Sequence, residues 1–278
     1  MKKLSSVHAV TLLCVVILLF VLHRIYQSCA KLDSSLANND CEQSLLESDG
    51  FICESKAVWN ERKQIHHAQD DLNAVRHPDP VFFSTNWEST FHCSSTRRIG
   101  TRGDGGKWVC DSYRLKSQAN CLIYSVGSNG DFSFETEIKK LIPHCEVHAF
   151  DKNVYSCPTN VCTFHAITFG DGVVPNNSQS WPSIVQELNH TAKTIDILKI
   201  DIEGAEYSFF PHLFQSDKRT FPRQILVEVH PTNITIIQGF FDLLRRNNYV
   251  IAIKENNLHA GPYFFEYAFL KMNPLFFR

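Results

Sequence analysis

The chain is 278 residues long and is 44% hydrophobic, 20% charged and 12% aromatic, with 12 glycines and 11 prolines. That length fits one large domain with accessory segments, and the composition excludes collagen-like, low-complexity and disordered chains. With 27 Lys and Arg against 29 Asp and Glu, and no long basic run, no nucleic-acid partner is expected.

The first element is an apolar segment, Ala9 to Leu22, preceded by Lys2 and Lys3 and followed by His23 and Arg24. With Val7, Ile25 and Tyr26 it approaches the roughly 20 residues that a membrane-spanning helix needs. A signal anchor would give a single-pass type II protein, held to the membrane by this helix with its remainder in the Golgi or ER lumen. The alternative is a cleaved signal peptide and a secreted product, because Ser28-Cys29-Ala30 offers small residues at the cleavage positions. Sequons at Asn176, Asn189 and Asn233 agree with either route.

Eight of the ten cysteines follow residue 30, at positions 41, 53, 93, 110, 121, 145, 157 and 162. Their spacing lacks the Cys-x-x-Cys pairs of a zinc site, and no metal is expected. Disulfides suit the compartment, with Cys41–Cys53, Cys93–Cys110 and Cys157–Cys162 as local candidates. Connectivity does not follow from spacing, and Cys121, opening a strand, is a candidate free core thiol.

Residues 31 to 95 read as a stem and N-terminal extension. One helix is predicted within Glu54–Val75, with Val58, Ile65, Leu72 and Val75 at near-helical spacing, ended by His77-Pro78-Asp79-Pro80. From Cys121 onward, short apolar runs alternate with amphipathic segments. Strands are predicted at 121–126, 146–150, 163–168, 195–200, 224–229, 249–253 and 267–271. Helices are expected between them, one with Phe134, Ile138, Leu141 and Ile142 on a face, one from Ser180, one bearing Tyr207, Phe210, Leu213 and Phe214, and one over 236–246. Such alternation implies right-handed crossovers and a mostly parallel sheet with helices on both faces. No helical pattern separates the last two strands, so one antiparallel strand is expected near the C-terminus.

Ligands in open α/β sheets bind at the carboxyl ends of the strands. Gly127-Ser128-Asn129-Gly130 follows the first strand, where glycine permits a tight turn and close backbone approach, although such turns are often only turns. Asp151, 24 residues beyond Gly127, closes the second strand and could bind both ribose hydroxyls of a nucleoside cofactor. Asp171 follows the third strand, as a candidate adenine contact or a solvated turn residue. Asp201 and Glu203 follow the fourth, and Glu206 reads as a helix N-terminal acid. Glu228-Val229-His230 ends the fifth. His230 is a candidate general base, a metal ligand with Asp201, or a structural contact.

The run Asp196-Ile-Leu-Lys-Ile-Asp-Ile-Glu-Gly-Ala-Glu206, with Glu228-Val-His230, resembles the signature of FkbM-type S-adenosylmethionine-dependent methyltransferases. The segments Arg98–Asp111 and Tyr124–Glu135 resemble, more closely, the methyltransferase-like protein 24 group of metazoan membrane-associated proteins. The resemblance covers about residues 90–278 and implies a Rossmann-like, seven-stranded methyltransferase domain over 96–278, behind an N-terminal transmembrane helix. It implies S-adenosylmethionine at Gly127, Ser128, Gly130, Asp151 and Asp171, with Asp201, Glu203 and His230 as catalytic candidates. Ser125 departs from the pattern, because many such enzymes carry an acid two positions before the first glycine. Asp104, Asp131 or Asp201 could substitute for it. The segment Gly105–Trp108 is expected to cap the site, with Lys107 either holding a carboxylate or free at the surface.

The expected activity is O-methylation of a glycan or small-molecule acceptor. Two other readings stay open. One is a type II glycosyltransferase using Asp201 and Glu203 for a metal-bound sugar nucleotide. The other is a non-catalytic interaction module.

Overall fold

The computed structural model describes residues 15, 17–24, 40–74, 85–173 and 178–278. Half of the apolar N-terminal segment, Val75 to Pro80 and the Asn176 sequon lie outside the described residues. Among the described residues no helix is long and apolar enough to cross a membrane.

In chain order the elements are α1 (Glu42–Glu47), α2 (Lys56–Ala74), β1 (Thr96–Ile99), β2 (Lys107–Cys110), α3 (Ser112–Lys116), β3 (Leu122–Val126), α4 (Ser133–Leu141), β4 (Glu146–Asp151) and β5 (Thr163–Ala166). There follow β6 (Thr168–Phe169), β7 (Ser178–Gln179), α5 (Trp181–Glu187), β8 (Ile197–Ile200), α6 (Glu206–Phe214), β9 (Gln224–Val229), α7 (Ile234–Arg246), β10 (Tyr249–Asn256) and β11 (Phe265–Lys271). Seven of the strands form one sheet in the order β10-β11-β9-β8-β3-β4-β5. Strands β3, β4, β5, β8 and β9 run parallel, and β11 lies antiparallel to both β9 and β10. The expected seven-stranded sheet with one antiparallel strand is therefore present. The predicted third strand is divided, because β6 leaves the sheet to pair with β7.

Alternation along the strands sorts the side chains onto two faces. Tyr124, Phe150, Ile200, Val227 and Tyr267 pack with Trp181 of α5, Phe209 and Phe210 of α6, and Phe240 and Phe241 of α7. Ile123, Val147, Ile197, Leu226 and Ala268 pack on the other face against Trp59 of α2, Phe134 and Ile138 of α4, and Val109 of β2. Asn233 caps α7 by accepting from Thr235 N at 2.8 Å, a contact worth about 1 kcal/mol.

Helix α2 is where expected but turned differently. Val58 and Leu72 are exposed, while Trp59, His66 and Asn73 are buried. The inward face is chosen by Trp59, whose indole donates to the Glu47 carboxylate at 2.6 Å and whose ring meets Phe91 and Phe276. A large amphipathic ring with a satisfied N–H outweighs three scattered aliphatic side chains.

All eight described cysteines are paired, as Cys41–Cys53, Cys93–Cys110, Cys121–Cys145 and Cys157–Cys162. Cys121 is thus no free thiol. It precedes β3 as Cys145 precedes β4, and because Leu122 pairs with Glu146 the two cysteines meet, with Cα atoms 4.5 Å apart.

Replacing both Cys121 and Cys145 by serine should lower unfolding stability by about 3 kcal/mol, the chain-entropy value for a loop of this length. Denaturant titration under non-reducing conditions measures it. An unchanged midpoint would show that this bond does not constrain the unfolded chain.

Candidate functional site

The registers of neighbouring strands place the site residues in one lateral row. Val126 pairs with Phe150 and with Ile200, Ile200 pairs with Val227, and Glu228 pairs with Glu266. The next residues along the parallel strands are Gly127, Asp151, Asp201 and Glu228. Together with Glu266 they form a row across five strands, on the face that also carries β2.

Gly127 occupies a left-handed conformation, with φ +78°, and its amide donates to Phe150 O at 2.8 Å. A Cβ there would lie 1.7 Å from Asp201 O, so no side chain fits between β3 and β8. Beyond it a cleft of about 280 Å³ is lined by Asp104, Gly105, Val126 to Asn129, Asp131, Asp151 to Asn153, Ile167 to Phe169, and the 201–205 segment. The Asp151 carboxylate accepts from Asn129 N and Asn153 N, both at 2.9 Å, one on each oxygen. Each oxygen keeps a second lone pair for a ligand. The Ser128 hydroxyl is buried in the cleft wall without a hydrogen-bond partner.

The loop over residues 100–106 covers this edge. Gly100 N donates to Glu137 Oε2 at 2.8 Å, Thr101 N donates to Ser133 Oγ at 3.1 Å, and Asp104 and Gly105 reach the cleft. Lys107 and Trp108 belong to β2 rather than to the loop. The buried Lys107 ammonium lies 2.5 Å from Glu266, 3.5 Å from Asp201 and 3.6 Å from Glu228. The bland expectation of a surface lysine is therefore wrong. Asn257 Nδ2 donates to Glu228 Oε1 at 3.1 Å and to Asp104 Oδ1 at 3.3 Å. Lys199, buried two residues before Asp201 and on the same face of β8, adds positive charge under the row.

These surroundings separate the acids. Burial works against the Asp201 carboxylate, but Lys107 and then Lys199 hold it below the usual carboxylate range. Burial and the charges of Asp201 and Glu266 push Glu228 up to about 8. Burial would lower the His230 imidazole, yet Glu206, Asp201 and Glu228 raise it to about 9. Its Nδ1 lies 3.5 Å from Glu206, and its Nε2 lies 3.6 Å from Glu203 and 4.0 Å from Asp201. Near neutral pH His230 is an imidazolium, which holds acids rather than accepting a proton.

Gly127, Ser128, Asp151, Asp201 and Glu203 thus meet at one cleft. Gly130 turns behind it at φ +81°, against the Tyr155 ring. Asp171 is not among the lining residues. Its exposed carboxylate closes its own turn through Val173 N at 2.8 Å. Of the proposed substitutes for an acid at Ser125, Asp104, Asp131 and Asp201 all line the cleft. Glu206 accepts from Ile202 N at 2.8 Å, a role at the start of α6. Glu266 and Asn257 do not follow a parallel strand, so reading the strand ends misses both, though Glu266 has a sequence signal of its own. It is an acid at an inward position of an apolar strand in a sheet covered on both faces.

Residues 46–271 match a family described as a methyltransferase domain. The chain is 29% identical over 140 residues to the human "probable methyltransferase-like protein 24", a match covering 44% of this chain and 37% of that protein. The chain thus spans well under two thirds of this relative's length. Among solved structures, similarity extends to a putative ribosomal RNA methyltransferase from Plasmodium falciparum (13% identity, 58% of this chain, 91% of that chain, TM-score 0.40). It also extends to M. capricolum TrmK in complex with S-adenosyl-homocysteine (10% identity, 58% and 67%, TM-score 0.37).

Two glycines provide a test of the close approach. Gly204 also has a left-handed φ, +93°, but a Cβ there meets nothing within 4 Å. Gly204→Ala should cost about 1–2 kcal/mol from backbone strain, and Gly127→Ala about 2–4 kcal/mol from strain plus overlap. Denaturant melts compare them, and equal losses would refute the packing argument.

The His230 charge gives a pH dependence. Its folded-state pKa is raised from 6.5 to about 9, so its contribution to stability is complete below 6.5 and is lost as pH rises through 9. Glu228, also raised, acts in the same direction. Thermal melts should fall between pH 6.5 and 9, and His230→Gln should flatten that decline. A variant as steep as the parent would show that His230 is not the titrating group.

Proposed function

This chain belongs to the methyltransferase-domain family, and we propose that it is an S-adenosylmethionine-dependent methyltransferase acting on an oxygen acceptor. The observation that carries this reading is the convergence of Gly127, the buried and unpartnered Ser128 hydroxyl, Asp151 and Asp201 on one cleft. The donor fits what the residues leave open. Asp151 has free lone pairs that would hold a ribose diol, and Asp104, Asp131 and Asp201 line the cleft as acids that would hold a cationic amine and sulfonium.

S-adenosylmethionine supplies an already activated methyl group, so the protein has chiefly to align the acceptor and manage one proton. Asp201, kept ionised by Lys107, is placed to accept a hydrogen bond from the acceptor hydroxyl and orient it. Glu203 is exposed to solvent, with His230 3.6 Å away, and can receive the proton and pass it to water. His230, already charged, fixes Glu203 and balances the acids. We further propose that the acceptor is a glycan or small molecule of the secretory pathway, with the chain anchored to the membrane by its N-terminal helix. Three sequons, eight paired cysteines and the apolar N-terminal segment support that location.

Calorimetry with S-adenosylhomocysteine tests the reading. Binding to the full chain is expected, and Asp151→Ala should weaken it by 10-fold or more, about 1.4 kcal/mol. Asp171→Asn should leave it unchanged. No binding at about 1 mM ligand, far above ordinary cofactor affinities, would favour the non-catalytic module. A manganese-dependent thermal shift with sugar nucleotides alone would favour the glycosyltransferase.

A further inference from the structure

The other end of the same sheet carries a second cluster that the proposed reaction does not use. Glu146 and His148 open β4 and point to the same face, and His190 arrives from the turn that follows α5. One carboxylate oxygen, Glu146 Oε1, lies 3.0 Å from His148 Nε2 and 3.3 Å from His190 Nε2. These three atoms all lie within 4.8 Å of one another.

We propose that Glu146, His148 and His190 bind a divalent transition-metal ion of the zinc class at the amino edge of the sheet. Zinc–ligand bonds of about 2.0–2.1 Å in a tetrahedron set ligand atoms roughly 3.3 Å apart, and the two imidazole nitrogens stand 3.0 and 3.3 Å from Glu146 Oε1. Water would complete the fourth position. The set is nitrogen and oxygen only, because every described cysteine is in a disulfide. That matches zinc better than the all-oxygen preference of magnesium or calcium.

The support behind the three ligands strengthens the case. Metal-binding imidazoles have their second ring nitrogen held by a partner that orients the ring. His148 Nδ1 lies 2.8 Å from His165 Nε2, and His190 Nδ1 lies 2.7 Å from Tyr124 Oη. The far oxygen of Glu146 is occupied by Lys193 Nζ at 2.7 Å, which leaves Oε1 directed at the two rings. Burial keeps His148 and His190 below the usual imidazole range, and hence neutral with a lone pair available. No net proton has to leave when the ion enters. Each ring moves its hydrogen from Nε2 to Nδ1, where His165 and Tyr124 accept it. The Glu146 side chain is 48% exposed, so an ion can reach the site from solvent.

The role is structural. Asp151 lies five residues further along β4, about 17 Å away at the strand rise, so the ion would take no part in transfer. It would join β4 to the loop entering β8, beside the Cys121–Cys145 bond.

Zinc chloride is titrated into the chelator-stripped, untagged full chain by calorimetry, with a parallel thermal melt. One equivalent per chain and a higher melting temperature are expected. Glu146→Gln, at a half-exposed position that spares the core, should weaken zinc binding at least 10-fold. Tyr124→Phe, which removes only the hydroxyl that holds His190, should weaken it about 10–100-fold. The proposal is overturned if no saturable binding occurs below about 100 μM zinc, well above the affinities of built structural sites. It is also overturned if Glu146→Gln binds like the parent while Glu203→Gln does not, which would place the ion in the cleft.

Discussion

A single buried ammonium group organises the carboxyl edge of this protein. Asp151, Asp201, Glu228 and Glu266 fall in one row because the strand registers put them there, and three of them surround Lys107. Burying such charges unpaired would cost several kcal/mol for each ion. The row therefore requires the hairpin of β1 and β2 that delivers the lysine. That hairpin is secured at its other end by the Gln224 side chain, which exchanges hydrogen bonds of 3.0 and 2.8 Å with the Cys110 backbone. Position along the row then decides behaviour. Asp201, nearest the cleft, stays ionised, while Glu228, between two other acids, holds its proton to about 8.

Much of this was legible in the sequence where local pattern and tertiary role coincide. The strand–helix alternation from residue 121 specified the sheet, and reading the residue after each strand found Gly127, Asp151, Asp201 and Glu228, because strand ends in parallel sheets converge. What escaped was set by distant partners. The orientation of α2 depends on Glu47, Phe91 and Phe276 meeting Trp59, and helical spacing alone favoured the wrong face. Lys107 looked like a loop lysine because β2 is only four residues long and its partners lie 94 to 159 positions away. The type of His230 leaves open a base, a metal ligand and a structural contact, whereas its charge depends on Glu206, Asp201 and Glu228 together, which no local pattern brings near it.

The two edges of the sheet have different physical characters. At the carboxyl edge the loops are held by glycine conformations and side-chain hydrogen bonds, which allow small rearrangement around a ligand. At the amino edge β3 and β4 are joined by Cys121–Cys145, and the histidine cluster packs against Tyr124 and Phe150. One edge is thus tied by a covalent bond between neighbouring strands, and the other by hydrogen bonds and turn conformations.

The Cys93–Cys110 bond carries this further. Cys110 ends the strand that Lys107 begins, so the covalent tie fixes the far end of the same four-residue lever. Thiol chemistry and charge balance are thereby mechanically linked. Without that bond, the pairing with β1 and the Gln224 hydrogen bonds would alone secure the far end of the lever.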